Sequence, residues 1–162
     1  MTAVRVALPT PEDTRALGAA LGRLLRAGDL LVLTGTLGAG KTTLTQGLGA
    51  ALEVRGAVTS PTFVIARVHP STVGGPALVH VDAYRLGGAL ELDDLDLDAS
   101  LEQSVTVVEW GHGLAEGLAE DRLEVVLDVD VDTEERAATV SGVGARWTGQ
   151  PDVLAGLGGV PC

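Results

Sequence analysis

The segment from Gly35 to Thr42 constrains the fold of this 162-residue chain more than any other stretch. Its sequence, GTLGAGKT, matches the pattern G-x-x-x-x-G-K-[ST] at every fixed position. The apolar run 30–34 precedes it and predicts a buried parallel strand. The run 43–52 follows it, with leucine and alanine at helical spacing, and predicts a helix. A strand, a glycine-rich loop and a helix start in this order direct a row of backbone N–H groups at one point, which suits a chain of phosphates.

Chance does not account for this match. The chain contains 22 glycines but a single lysine, and random placement would produce the pattern roughly 0.002 times over all start positions. That lysine is Lys41, whereas ten arginines supply the other basic side chains. The pattern predicts that Lys41 reaches the β- and γ-phosphates of a nucleotide and that the Thr42 hydroxyl is a ligand of Mg²⁺.

Composition and charge narrow the class of protein. Hydrophobic residues make up 46% of the chain, which indicates one globular domain over residues 1–162, with an irregular tail from about 144. The net charge of −11 argues against direct binding of nucleic acid, because phosphate backbones require a basic patch. The single cysteine, Cys162, predicts no disulfide within the chain. Because no apolar run has membrane-spanning length and no signal-peptide pattern occurs, we expect a cytoplasmic protein without a membrane partner.

The hydrophobic periodicity predicts an α/β fold of the P-loop NTPase type, a three-layer sandwich with a mostly parallel sheet and a C-terminal antiparallel hairpin. The first helix is expected to begin with Thr10 as N-cap and Pro11 in the first position, and to run through Arg26 with Gly28 at its C-terminal cap. The other predicted helices are 43–52, a short helix at 114–118 and a weak one near 153–157. The predicted strands are 4–8, 30–34, the second half of 58–68, 77–81 and 105–108, with 123–129 and 135–140 forming the hairpin.

Two of the predicted buried strands end in a carboxylate. Asp82 follows the strand 77–81, and Glu109 follows the strand 105–108. In P-loop enzymes an acidic residue at the end of a neighbouring strand holds Mg²⁺ or its water. We therefore expect Glu109 in the metal shell and Asp82 to orient the attacking water, with the division of these two roles left open. His80 alternates with Asp82 on the same strand face, and a structural or hydrogen-bonding role is favoured for it over a catalytic one.

Four further patterns bear on the class of ligand. The hydroxyl-rich stretch 58–63 indicates either a loop near the nucleotide or an ordinary Ser-Pro turn. The carboxylate-rich stretch 91–98 lacks the glycine and the terminal glutamate of a calcium loop, and indicates a solvated acidic face. Asparagine is absent from the chain, so the Asn-Lys-x-Asp motif that reads guanine cannot occur and ATP is the expected nucleotide. The scattered arginines do not form the lid that is typical of a small-molecule kinase.

Taken together, these stretches resemble the TsaE (YjeE) family, small bacterial P-loop ATPases required for making threonylcarbamoyladenosine in tRNA. The resemblance covers about residues 10–140. It rests on LGAGKTT at 37–43, SPTF at 60–63 and HVDAYRL at 80–86. The pairs Glu91-Leu92 and Glu109-Trp110 complete it, and their order and spacing make the set specific.

The resemblance implies roles for particular residues. It places Thr42 and Glu109 around Mg²⁺, and makes Lys41, Asp82 and Glu109 catalytic. Tyr84 and Arg85 belong to the same motif as Asp82. The residues that it assigns to a switch-like loop are Ser60 and Thr62. The residues that it assigns to nucleotide binding are Thr36, Leu37, Gly38, Ala39, Gly40, Lys41, Thr42, Thr43 and Trp110.

The resemblance also implies partners. Family members are weak ATPases alone and act on a complex of the TsaB–TsaD type. In that complex, TsaD is the protein that transfers the threonylcarbamoyl group. A protein that acts on such a complex reaches tRNA only indirectly, which agrees with the negative net charge of the chain. The alternative to an ATP-hydrolysing accessory protein is a nucleotide-dependent binding switch in which hydrolysis is incidental.

Overall fold

The computed structural model describes residues 2–36, 38–56, 58, 66–82, 102–109, 120–148, 151–158 and 160–161. Within these ranges the strands are β1 (Thr2–Ala7), β2 (Leu30–Gly35), β3 (Ala66–His69), β4 (Ala77–Asp82), β5 (Ser104–Glu109), β6 (Arg122–Val129), β7 (Arg136–Val143) and β8 (Val160–Pro161). The helices in the same ranges are α1 (Pro11–Leu24), α2 (Lys41–Leu52), α3 (Ala145–Thr148) and α4 (Pro151–Ala155). None of these described helices is long and apolar enough to cross a membrane. The predicted helix at 114–118 lies outside the described residues.

The strands join one sheet in the order β3-β4-β5-β2-β6-β7-β1-β8. The four central strands, β4, β5, β2 and β6, run parallel to one another. The predicted C-terminal hairpin is confirmed as β6 and β7, which pair antiparallel. The antiparallel positions of β3 at one edge, and of β1 and β8 at the other, were not part of the prediction. Because the carboxyl ends of the parallel strands meet at one edge, this topology fixes the place where ligands bind in P-loop folds.

Three of the central strands, β2, β4 and β5, are buried on both faces, as a three-layer architecture requires, whereas β6 alternates buried residues with more exposed ones. Every residue of β5 is buried, and β2 and β4 each have one residue that is only partly buried. Such strands read as continuous apolar runs, which explains why the sequence predicted them within one residue of their observed bounds. On one face α1 and α2 pack their leucines against the sheet. The buried residues that join these helices to the sheet include Leu17, Leu21, Leu44, Leu48, Leu31, Leu33, Val105 and Val107.

The start of α1 confirms the predicted cap. The side chain of Thr10 accepts a hydrogen bond from the Asp13 backbone N–H at 3.3 Å, and the Asp13 carboxylate accepts one from the Thr10 backbone N–H at 3.0 Å. This reciprocal capping box satisfies two N–H groups that the helix leaves unpaired. Pro11 occupies the first helical position, where its missing N–H is not needed.

The predicted end of α1 is wrong. The helix stops at Leu24, two residues earlier than expected, and Gly28 is not its cap. The cause is the Asp29 carboxylate, which accepts a hydrogen bond from the Arg26 backbone N–H at 2.7 Å. This bond draws the chain into a turn toward β2, and Gly28 adopts φ +95° within that turn.

Helices α1 and α2 are in direct backbone contact. A Cβ atom on Gly18 of α1 would overlap the carbonyl oxygen of Leu44, and one on Gly47 of α2 would overlap the carbonyl oxygen of Arg15. Each helix therefore presents glycine where the other presents backbone, which allows a shorter interhelical distance than any side chain would. The position of α2 relative to the sheet is fixed through this contact with α1.

The segment from Gly144, for which the sequence predicted little regular structure, contains α3, α4 and β8. Trp147 and Leu154 from this segment are buried in the main core, with 2% and 0% of their surface exposed. Arg146 forms a two-pronged ion pair with Asp29, with both N–O distances at 2.6 Å, and its guanidinium stacks 4.1 Å above the Trp147 ring. The segment thereby holds the turn that leads into β2.

We predict that Gly47→Ala destabilises the protein although alanine is the better helix former. The helix propensity of alanine alone would add about 1 kcal/mol of stability, but the new methyl group meets the Arg15 backbone, and overpacking of this kind costs about 1–3 kcal/mol. Urea denaturation measures the free energy of unfolding. The matched control is Gly75→Ala, because Gly75 has only an ordinary 3.5 Å neighbour and is expected to change by less than about 0.5 kcal/mol. A stability gain in Gly47→Ala would contradict the close helix contact.

Candidate functional site

The loop between β2 and α2 has the backbone geometry of an anion cradle. Gly38 and Gly40 adopt left-handed φ values of +82° and +108°, which side chains disfavour. Gly40 is also the N-cap residue of α2, and no side chain caps the helix there. The first turn of α2 therefore directs N–H groups outward without a capping side chain, which is an arrangement that binds phosphate.

Lys41 is buried beside this loop, with 8% of its surface exposed. Its Nζ donates hydrogen bonds to the carbonyl oxygens of Gly35 at 2.8 Å and Thr36 at 3.2 Å. Burial lowers the pKa of Lys41 below its usual value, while the negative charges of Glu109 and Asp82 act to raise the same pKa. The lysine predicted to contact phosphates is thus held at the loop within electrostatic range of both predicted carboxylates.

Asp82 and Glu109 are neighbours at the carboxyl edge of the sheet. They are the last residues of β4 and β5, and the parallel register places them directly opposite each other. Glu109 is in turn opposite Leu33 of β2, two residues before the loop begins. Both acidic residues are buried, with 8% and 3% of their surface exposed. The structure therefore brings together the three residues that the sequence analysis named as catalytic, and their chemical roles stay predictions.

The remaining predicted site residues divide into two groups. Thr42 and Thr43 lie half-buried in the first turn of α2, Thr36 is exposed at the end of β2, and Ala39 is buried. The predicted residues that lie outside the described ranges are Leu37, Ser60, Thr62, Tyr84, Arg85 and Trp110. The acidic stretch 91–98 also lies outside them.

His80 has an environment that the sequence did not predict. It is completely buried in β4, and its Nε2 lies 3.3 Å from Oε1 of Glu109. The sequence placed His80 on the same face as Asp82 but gave no reason to connect it with Glu109. The connection comes from the register of β4 and β5, because His80 is two residue pairs away from the Asp82–Glu109 pair.

A cavity of about 770 Å³ lies at the same edge of the sheet and was also not predicted. It is formed where β6, β7 and β1 meet, next to the strand that carries the loop, since Leu127 of β6 is opposite Gly35. Its lining includes Arg5, Pro9, Asp128, Thr133 and Arg136. No sequence motif marks this cavity, because its residues come from three strands, the connection after β1 and the turn between β6 and β7.

Within the described part of the chain, no group of three or more histidine, cysteine, aspartate or glutamate side chains is placed to hold a metal ion by itself. Magnesium sites in nucleotide-binding proteins commonly take one or two protein ligands and complete the shell with phosphate and water. The pair Thr42 and Glu109 supplies hard oxygen atoms of the type that Mg²⁺ prefers, and Glu109 is buried at the end of β5, beside the strand that leads into the loop. The donor set fits a magnesium ion that arrives with a nucleotide.

Comparison with known proteins identifies the family. A family model described as "Threonylcarbamoyl adenosine biosynthesis protein TsaE" matches residues 8–138. The chain belongs to the TsaE family. The match covers the loop, both carboxylates and the first strand of the hairpin, β6, and it confirms the resemblance that the sequence motifs indicated.

Members of the TsaE family from several bacteria are similar to this chain over most of their length. A protein of Streptomyces coelicolor named "tRNA threonylcarbamoyladenosine biosynthesis protein TsaE" is 64% identical over 147 residues, which cover 88% of this chain and 99% of that protein. The TsaE protein of Bacillus subtilis is 39% identical over 138 residues, covering 85% and 84% of the two chains. The crystal structure of Bacillus subtilis YdiB superposes with a TM-score of 0.77 at 32% identity and covers 96% of each chain. The fold class predicted from the sequence is thereby confirmed.

The lowered pKa of Lys41 predicts a pH dependence of stability. Between its folded pKa and its ordinary value of 10.5, the unfolded chain binds more protons than the folded one, so the free energy of unfolding rises with pH. Relative to Lys41→Met, which has no group to titrate, the wild type should gain stability across that window by at most about 1.4 kcal/mol per pH unit. Urea denaturation at a series of pH values from neutral to 10.5 measures the difference, and no other lysine complicates it. If the difference in unfolding free energy between the wild type and Lys41→Met stays constant as the pH rises, or changes in favour of the variant, the lowered pKa is contradicted.

Proposed function

We propose that this protein binds ATP with Mg²⁺ and hydrolyses it, and that it serves the formation of threonylcarbamoyladenosine at position 37 of tRNA. One observation carries the proposal. The uncapped start of α2, the left-handed glycines Gly38 and Gly40, and buried Lys41 stand beside two carboxylates at the ends of adjacent parallel strands. The names of the family relatives supply the pathway.

Lys41 would exchange its partners when a nucleotide binds. Its Nζ now donates to the carbonyl oxygens of Gly35 and Thr36, and phosphate oxygens would offer stronger, charge-assisted bonds in their place. The N–H groups of the first turn of α2 would hold the remaining phosphate oxygens. The buried ammonium then offsets negative charge that develops on the phosphates during hydrolysis, with little reorganisation.

Thr42 and Glu109 are the residues that would hold Mg²⁺. When bound, the ion neutralises phosphate charge and aligns the β- and γ-phosphates. Asp82 is the residue that would orient the attacking water, because it is adjacent to Glu109 at the carboxyl edge of the sheet yet belongs to a different strand. The carboxylate of Asp82 accepts a hydrogen bond from that water and directs its oxygen toward the γ-phosphate.

The nucleoside needs a second surface. The cavity beside β6, β7 and β1 is of the size that small ligands occupy, and it lies at the same edge of the sheet as the loop. Its carboxylates, among them Asp128 and Asp130, accept hydrogen bonds of the kind that ribose hydroxyls donate. We propose that the ribose and base lie here.

The protein acts on other proteins in this proposal. Its net charge of −11 disfavours a direct grip on tRNA, so a complex of the TsaB–TsaD type would bind the tRNA and carry out the transfer. The place of action would be the cytoplasm, where tRNA is modified.

A nucleotide-dependent binding switch is the second candidate. The observation that favours it is the bonding of Lys41 to the loop itself, because a phosphate that binds the same ammonium would compete for these bonds and give the loop two states. In this case occupancy of the loop controls docking to the partner, and hydrolysis only resets it.

A matched pair of glycine variants tests nucleotide binding. Gly38 and Gly74 have nearly the same backbone angle, φ +82° and +78°, and a Cβ atom on either would meet nothing within 4 Å. Alanine at either position should therefore cost about the same stability, about 1–2 kcal/mol, through left-handed strain alone. Isothermal titration with ATP and Mg²⁺ should show affinity at least tenfold weaker for Gly38→Ala and unchanged for Gly74→Ala. Equal affinities for the two variants would show that the loop does not bind the phosphates.

Asp82→Asn separates hydrolysis from binding. The variant keeps the shape of the side chain but removes the charge that orients water, so ATP hydrolysis should fall by about 100-fold or more while ATP affinity stays within a few-fold. Phosphate release is measured for the protein alone and with its TsaB–TsaD partners, whose addition should raise the wild-type rate. Glu102→Gln is the control, since Glu102 is exposed at the opposite edge of the sheet.

The outcomes distinguish the two candidates. If Asp82→Asn still supports threonylcarbamoyladenosine formation at the wild-type level, the protein is a binding switch. If it binds ATP and the partners but supports no modification, hydrolysis itself is required. A wild-type protein that binds no nucleotide would overturn both.

A further inference from the structure

His80 is a buried polar side chain that the proposed reaction leaves without a role. Its exposed surface is 0%, and neither Nδ1 nor Nε2 has a hydrogen-bond partner among the described residues. Oε1 of Glu109 is likewise buried and unpartnered. Unsatisfied groups of this kind are rare in proteins and destabilising, and their presence calls for a functional explanation.

In the described part of the chain, the strand neighbours of His80 supply no acceptor for its ring. The residue directly opposite on β5 is Val107, and the residue two positions earlier on the same face is Leu78. Both are fully buried in the hydrophobic core. The opposite residue on β3 is Arg67, which donates but cannot accept a hydrogen bond from an imidazole N–H and is exposed. Oε1 of Glu109 is an acceptor that the sheet brings within reach of the ring.

The contact between the two groups is nearly a hydrogen bond. Nε2 of His80 and Oε1 of Glu109 are 3.3 Å apart, within hydrogen-bond range, although the pair does not meet the full geometric requirements of a hydrogen bond. Because the distance already allows the bond, its formation requires reorientation of the side chains. Neutral imidazole with its proton on Nε2 is the form that donates to the carboxylate.

We propose that His80 is a positioning residue for Glu109. Its Nε2–H holds Oε1 of the carboxylate from the core side, so that the other oxygen is presented to the ion that accompanies the nucleotide. Residues that orient a metal ligand in this way fix its rotamer and strengthen binding, and their loss costs about 10–100-fold in metal affinity. The inference rests on the proposed function, because it assumes that Glu109 faces a bound metal ion.

The test measures metal binding rather than turnover. Mn²⁺ serves as the probe, and its binding to the full-length protein saturated with ADP is followed by electron paramagnetic resonance. We expect His80→Phe to weaken Mn²⁺ binding by about 10-fold or more and to leave ADP affinity in the absence of metal unchanged. His80→Gln, whose amide can still donate to the carboxylate, should recover most of the loss.

A second buried histidine provides the control. His69 lies on β3 with 6% of its surface exposed, and it is paired with Leu78 rather than placed beside Glu109. His69→Phe makes the same chemical change in the same layer of the core. It should leave Mn²⁺ affinity at the wild-type level. An equal loss in His69→Phe and His80→Phe would show a general effect of the core and overturn the proposal.

A metal-free measurement tests the contact itself. The free energy of unfolding is compared for the wild type, His80→Phe, Glu109→Gln and the double variant, and the proposal requires that the two changes are not additive. Additive effects would overturn it. Wild-type affinity for Mn²⁺ in His80→Phe would overturn this inference alone, whereas a wild-type protein that binds no Mn²⁺ with ADP would also overturn the proposed magnesium site.

Discussion

A buried ammonium group and two buried carboxylates share one edge of the sheet, and much of the structure serves to keep them there. Removing a charged group from water is unfavourable unless opposite charge and hydrogen bonds replace the lost solvation. Lys41 meets this requirement in part, through two loop carbonyls and the negative charges of Asp82 and Glu109, and burial still lowers its pKa. The carboxylates are adjacent because β4 and β5 are parallel and end together. Charge balance at this edge therefore depends on strand register, and register depends on the apolar residues that fix the central strands.

The helix that carries Lys41 is positioned by contacts on its other side. Glycines in α1 and α2 let the two backbones touch, so a shift of α1 would move the loop as well. The turn after α1 is held by Asp29, which bonds both the Arg26 backbone and the Arg146 side chain. Two sets of contacts therefore determine the loop geometry: the backbone contact between α1 and α2, and the ion pair between Asp29 and Arg146 near the end of the chain.

Sequence reasoning succeeded where the decisive interactions are local. The loop, its flanking strand and helix, the cap at Thr10 and the hairpin all follow from residue type and spacing, and the structure has them. It failed where a distant residue decides the outcome. The early end of α1 depends on a side-chain bond from Asp29, and the ordered segment after Gly144 depends on the burial of Trp147 and on the ion pair with Arg146. The contact between His80 and Glu109 needs the register of two strands, which no pattern in either strand alone reveals.

The place of β1 in the sheet has a consequence for how the chain acquires its structure. β1 is hydrogen-bonded to β7 and β8, so Val4 is paired with Val140, a separation of 140 − 4 = 136 residues. Contacts of such long sequence separation raise the contact order and slow folding, because a long loop must close before the pairing is gained. During synthesis the loop and its helix are made long before the strands that flank β1 exist. Until β7 and β8 have been synthesised, β1 has unpaired edges and is prone to associate with other chains. Pairing with β7 and β8 ends this exposure.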